Sequence, residues 1–123
     1  MGLFTKKDLA FEKLKLSNAK IYSDKFVTIT LNLKNHEEKF ENILVTTKTD
    51  DLTNQYLKID NPSLLLPPLN FPNRNTGDHK ITITPFYIPL NKMTFKILLN
   101  VFTNNNSKSI LQKEFDITIM KKT

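Results

Sequence analysis

The stretch Phe26-Val-Thr-Ile-Thr-Leu-Asn-Leu33 decides the fold. Val27, Ile29, Leu31 and Leu33 alternate with Thr28, Thr30 and Asn32. That period of two puts the apolar side chains on one face of an extended chain and the polar ones on the other, so the stretch reads as a half-buried strand. Working outward, the same period returns at Phe95, Ile97, Leu99 and Val101, and again at Phe115, Ile117 and Ile119, between Glu114, Asp116 and Thr118. Shorter versions lie at Ile43 and Val45 and at Ile81 and Ile83.

Turn-forming residues fall between these segments: Asn35-His-Glu-Glu38, Asp50-Asp51, Asn73-Arg-Asn-Thr-Gly-Asp78, Pro89-Leu-Asn91 and Asn104-Asn-Asn-Ser107. Short strands separated by turns, with no long helical pattern, predict an antiparallel all-β sandwich or barrel. Residues 1–123 read as one domain, since no linker or internal repeat divides them. The run from Asn104 to Ser107 predicts a hairpin joining the last two strands, because asparagine tolerates left-handed backbone angles. Gly77, the one internal glycine, is expected to supply a positive φ just before the strand near Lys80.

Two regions are less regular. Leu9, Phe11, Leu14, Leu16 and Ile21 fit either a first strand or a short helical turn followed by one; a strand from about Phe11 to Leu16 is the reading taken. The run Asn61-Pro-Ser-Leu-Leu-Leu-Pro-Pro-Leu-Asn-Phe-Pro72 cannot be a central strand, because proline supplies no ladder donor and restrains the residue before it. It is expected to cross an edge or to cap one end of the sandwich. Its apolar cluster, Leu64, Leu65, Leu66, Leu69 and Phe71, is core if packed beneath that end and a partner surface if exposed.

The strand pattern resembles the immunoglobulin-like domains of archaeal and bacterial proteins, including the CARDB and NEW3 types. The resemblance is carried by the second strand, Val27 to Asn35, and by the Pro- and Gly-containing stretch from Leu66 into Ile81-Thr-Ile-Thr-Pro85. It covers roughly residues 11 to 120 and lacks the buried tryptophan and paired cysteines of antibody domains. It implies an antiparallel immunoglobulin-like β-sandwich of about seven strands, in a family of adhesion, scaffolding and appended binding modules.

The chain has no cysteine, which excludes a disulfide framework, a thiolate metal site and a thiol nucleophile. With two glycines, a full phosphate loop, dinucleotide fingerprint or nucleophile elbow is impossible. His36-Glu37-Glu38 lacks the second histidine of a zinc-protease helix and sits in a turn. Asp78-His79 and Asp50-Asp51 lack metal-loop spacing and read as polar turns. The expectation is a protein that is not an enzyme and holds no cofactor or metal.

The formal charge is +6, yet Arg74 is the one arginine among 18 basic residues. Lysine confers solubility and loose attraction to anions, whereas planar recognition of phosphate or guanine favours arginine. Lysine, asparagine and isoleucine abundance equally fits an AT-rich genome. Residues 1–25 carry +3, residues 26–79 carry −2 and residues 80–123 carry +5. If the first and last strands are neighbours, Lys6, Lys7, Lys121 and Lys122 offer a patch for nucleic acid or an anionic membrane surface.

No stretch approaches the ~18 apolar residues of a membrane helix. The opening Met1-Gly-Leu-Phe-Thr-Lys-Lys-Asp8 has no apolar core behind its lysines and no serine or threonine at position 6, so the expected location is cytoplasmic. The leading expectation is a non-catalytic module that binds a protein partner, or a second copy of itself, through an exposed sheet edge or apolar loop. The alternative is a basic β-sandwich that binds a polyanion or a membrane surface.

Overall fold

The computed structural model describes residues 8–50, 55–70 and 74–122. In chain order the strands are β1 (Leu9–Leu16), β2 (Lys20–Tyr22), β3 (Val27–Asn35), β4 (Ile43–Thr49), β5 (Leu57–Ile59), β6 (Ser63–Leu66), β7 (His79–Pro85), β8 (Lys92–Phe102) and β9 (Leu111–Met120). The alternation read in β3 is realised: Val27, Ile29, Leu31 and Leu33 are fully buried, while Thr28, Thr30 and Asn32 are partly exposed. Val45, Ile81, Ile83, Ile97, Leu99, Ile117 and Ile119 join them in one hydrophobic core. Burying each such side chain stabilises the fold by about 1.5–3 kcal/mol.

Two sheets face each other across that core, one ordered β1-β3-β7-β5 and the other β2-β9-β8-β4-β6. Pairing is antiparallel except between β2 and β9. Nine strands form among the described residues where about seven are expected; the two beyond that number are among the short edge elements β2, β5 and β6.

Those elements arise because the chain changes sheets at both margins. β1 pairs with β3 from Leu9 opposite Asn35 to Leu16 opposite Ile29. At Ser17, whose N–H donates to the Thr28 carbonyl at 2.8 Å, the chain leaves that sheet, and β2 then lies parallel to the end of β9. On the other margin β5 pairs with β7, Asn61 adopts a positive φ of 59°, and β6 continues beside β4 in the opposite sheet. Rather than only crossing the margin, Ser63–Leu66 of the proline-rich run pairs as an edge strand, the one sheet position that its flanking prolines tolerate.

The turns behave as their residues dictate. Gly77 has φ 77°, and Asn104 and Asn105 in the β8–β9 loop have φ 53° and 60°. The first and last long strands do not pair: β1 and β9 belong to different sheets and touch only between them, and it is β2, carrying Lys20, that is hydrogen-bonded to β9. Among the described residues no helix is long and apolar enough to cross a membrane.

Candidate functional site

The polar residues singled out in the sequence are engaged in holding the fold. Asp78 accepts from Lys13 Nζ at 2.8 Å and from Asn32 Nδ2 at 3.3 Å, tying the β7 entry to β1 and β3. The Lys13 contact holds the Asp78 carboxyl below its ordinary value against the opposing effect of burial. His79 Nε2 meets the Thr76 carbonyl at 3.0 Å. Asp50 Oδ1 accepts the Lys96 N–H at 3.1 Å and so prolongs the β4–β8 pairing; Asp51 lies outside the described residues. His36 and Glu37 are exposed and 3.7 Å apart. Among the described residues no three histidine or acidic side chains gather as a metal site would require.

The 36–38 turn is organised by a residue that the sequence reading did not single out. The Asp8 carboxylate accepts the backbone N–H groups of His36, Glu37 and Glu38. Burial works upward on this carboxyl, but the three donors outweigh it and its pKa lies below the usual carboxylate value.

The leucine cluster divides. Leu66 and Leu69 are buried, and Leu69 exchanges both backbone hydrogen bonds with Phe40 at 2.8 Å. Leu64 is half-buried against the core, Leu65 is exposed on the β6 edge, and Phe71 lies outside the described residues. Lys121 and Lys122 are exposed but anchored: the Lys121 N–H donates to the Asn91 carbonyl at 2.8 Å, and the Lys122 N–H to Ser23 Oγ at 2.9 Å. Lys6 and Lys7 lie outside the described residues, and Asp8, which follows them, lies at the opposite end of the sandwich from Lys121 and Lys122.

A different apolar cluster emerges from the topology. Six large apolar side chains are exposed among the described residues: Tyr22 (48%), Phe26 (61%), Leu65 (67%), Phe86 (61%), Tyr87 (60%) and Leu90 (60%). Five of these six lie at one end of the sandwich. Val27 pairs with Ile83, Lys92 with Met120, and Tyr22 with Met120, so the 22–26 turn, the 86–91 loop and the 120–122 segment meet there. Hydrogen bonds from Ser23 to Met120, from Lys25 to Tyr22 and from Lys121 to Asn91 hold the segments together. Ile88, 3% exposed, pins the 86–91 loop into the core while its neighbours face outward.

Lysines surround this cluster. Lys25, Lys92, Lys121 and Lys122 are exposed at the same end, with Asp24 the acidic residue among them, and Lys122 Nζ sits 5.3 Å from the Tyr22 ring centroid. A cleft of about 520 Å³ beside them is lined by Lys20, Tyr22, Lys25 and Phe26. A second cleft, about 670 Å³, lies at the margin between the lower half of β4 and β5, lined by Thr47, Lys48, Leu57, Ile59 and Phe86. The sequence signal for the aromatic end was present in Phe86-Tyr-Ile-Pro-Leu90, whose apolar residues follow no strand period.

No family model matches the chain, and no curated protein sequence matches it. Among solved structures, the fold is similar to part of the native conformation of E. coli alpha-2-macroglobulin, with a TM-score of 0.64 at 13% identity over 94% of this chain and 7% of that one. It is also similar to WR4, a C. elegans MSP family member, with a TM-score of 0.48 at 11% identity over 89% of this chain and 97% of that one. The periplasmic chaperone SfaE gives a TM-score of 0.49 at 10% identity over 89% of this chain and 56% of that one. This chain thus spans 7% of the length of the macroglobulin that it resembles. At such identities the likeness concerns the fold, and with the two-sheet topology it makes this chain an all-β, immunoglobulin-like β-sandwich.

Proposed function

We propose that this chain is a non-catalytic interaction module that docks through the end formed by the 22–26 turn and the 86–91 loop. The observation that carries the reading is the concentration of five of the six exposed large apolar side chains at that end. Single exposed apolar residues are ordinary, but a cluster rimmed by charge marks a surface that something covers. The absence of catalysis is part of the same reading, supported by the structural employment of Asp8, Asp50, Asp78 and His79. A CARDB- or NEW3-type kinship and a cytoplasmic location also belong to this reading. Sheet edges are the weaker surface: β1 is an eight-residue edge strand interrupted by a register shift between Phe11 and Lys13, β2 covers β9 only at Thr118–Met120, and neither edge gathers exposed large apolar side chains as that end does.

The test is differential capture from cell extract and from its membrane fraction. Material retained by the wild type is expected to be lost by Phe86→Ser/Tyr87→Ser/Leu90→Ser and kept by Leu65→Ser, whose exposed side chain lies away from the docking end. Equal retention by all three proteins would refute the reading.

A further inference from the structure

The geometry points to an anionic lipid bilayer as the surface that covers this end; the inference rests on the docking end just proposed and names what docks there. Three observations select lipid. First, the apolar side chains lie on turns at the tip of the sandwich, where insertion into a bilayer interface requires no matching groove. Tyrosine suits that interface because its ring is apolar and its hydroxyl stays wet.

Second, the cations around them are all lysine: Lys25, Lys92, Lys121 and Lys122. The one arginine, Arg74, lies near the opposite end, where it donates to the His36 carbonyl. Lysines on flexible stems beside aromatic rings suit phosphate-bearing headgroups, each attracted by charge without a fixed geometry.

Third, the charge is polarised along the sandwich. The opposite end sets Asp8, Glu37, Glu38 and Glu41 against Lys39, Arg74 and Lys108, close to balance, whereas four lysines stand against Asp24 at the docking end. A negative surface therefore draws the lysine-rich end toward itself. Cytoplasmic leaflets carry such negative potential. Headgroup charge supplies attraction, and Phe26, Phe86 and Leu90 supply the salt-insensitive part by entering the headgroup–acyl boundary.

The chain has no tryptophan, so reporters can be placed singly at exposed positions. Leu90→Trp samples the docking end and Leu65→Trp the β6 edge, away from it. Each is mixed at physiological salt with vesicles of phosphatidylcholine alone and with added phosphatidylserine, with and without brominated acyl chains. The expected result is blue-shifted, bromine-quenched emission from Leu90→Trp on the anionic vesicles and none from Leu65→Trp. Adding Lys121→Gln and Lys122→Gln should weaken binding by about 25-fold, at roughly fivefold per lysine. No response from Leu90→Trp, or equal responses from both reporters, overturns the lipid assignment. If that happens while the triple serine variant still loses a captured soluble protein, the docking end stands and its partner is a protein. If neither binding is seen, both readings fall.

Discussion

Asp8 shows how a single side chain orders a turn that periodicity does not describe. Its carboxylate faces three consecutive backbone N–H groups, a small concave anion site closed by the protein itself. Its folded pKa lies below the usual 3.8, as does that of Asp78 beside Lys13. A depressed carboxyl contributes stability that is complete above its unfolded value and disappears as pH falls through the folded one. Thermal midpoints are therefore expected to hold from neutral pH down to about the ordinary carboxylate pKa and to fall below it. Asp8→Asn should lower the neutral midpoint and flatten that acid limb. An unchanged acid limb in the variant would show that the three donors do not favour the charged carboxylate.

Gly77 makes the same point for the backbone. A Cβ at position 77 would meet nothing within 4 Å, so the only penalty for a side chain is the positive φ of 77°. Gly77→Ala is expected to cost about 1 kcal/mol in denaturant unfolding, without any packing defect.

At the scale of the element, legibility followed length. β3, β8 and β9 were legible because four, four and three apolar residues repeat at period two, and each repeat can face only one side of a sheet. β2 and β5 were not, because three residues around a single buried Ile21 or Leu57 set no period. β6 reads in the sequence as an edge crossing or an end cap and not as a strand, since its prolines bracket the residues that pair with β4. The leucines in that path separate by burial. Leu69→Ala, which removes a fully buried side chain tied to Phe40, should cost about 2–5 kcal/mol. Leu65→Ser should stay within about 0.5 kcal/mol. Similar losses at both positions would mean that the β6 edge packs differently.

The β4 strand is covered by β6 only over its first half. Thr47, 3% exposed beyond that cover, buries an Oγ1 that has no hydrogen-bond partner among the described residues. Thr47→Val, nearly the same shape without the hydroxyl, is expected to raise stability by about 1 kcal/mol. A fall of that size would show that the hydroxyl is hydrogen-bonded in solution.

For the whole molecule, the decisive feature is polarity along its long axis, and this was the part least visible in the sequence. The charge by segment was legible, but the ends that those segments occupy depend on strand direction and on the change of sheet at Ser17. Tyr22 and Phe26 lie far from Leu90 in the chain and share an end with it because β2 lies parallel to β9 and β8 returns beside it. The leucine-rich stretch drew attention as the densest apolar run, yet density along the chain does not predict exposure. Leu66 and Leu69 fill the core, while the less conspicuous Phe86, Tyr87 and Leu90 remain outside, flanking the buried Ile88.

The claim that this end is the docking surface is tested most directly by a photo-reactive amino acid placed singly at Leu90, Leu65 and Lys113 and activated in living cells. All three positions are exposed, and they sample the aromatic end, the β6 edge and the β9 edge. The account predicts abundant adducts, chiefly with lipid, from position 90 and background labelling from the other two. Equal labelling at all three positions, or labelling concentrated at 65 or 113, would contradict it.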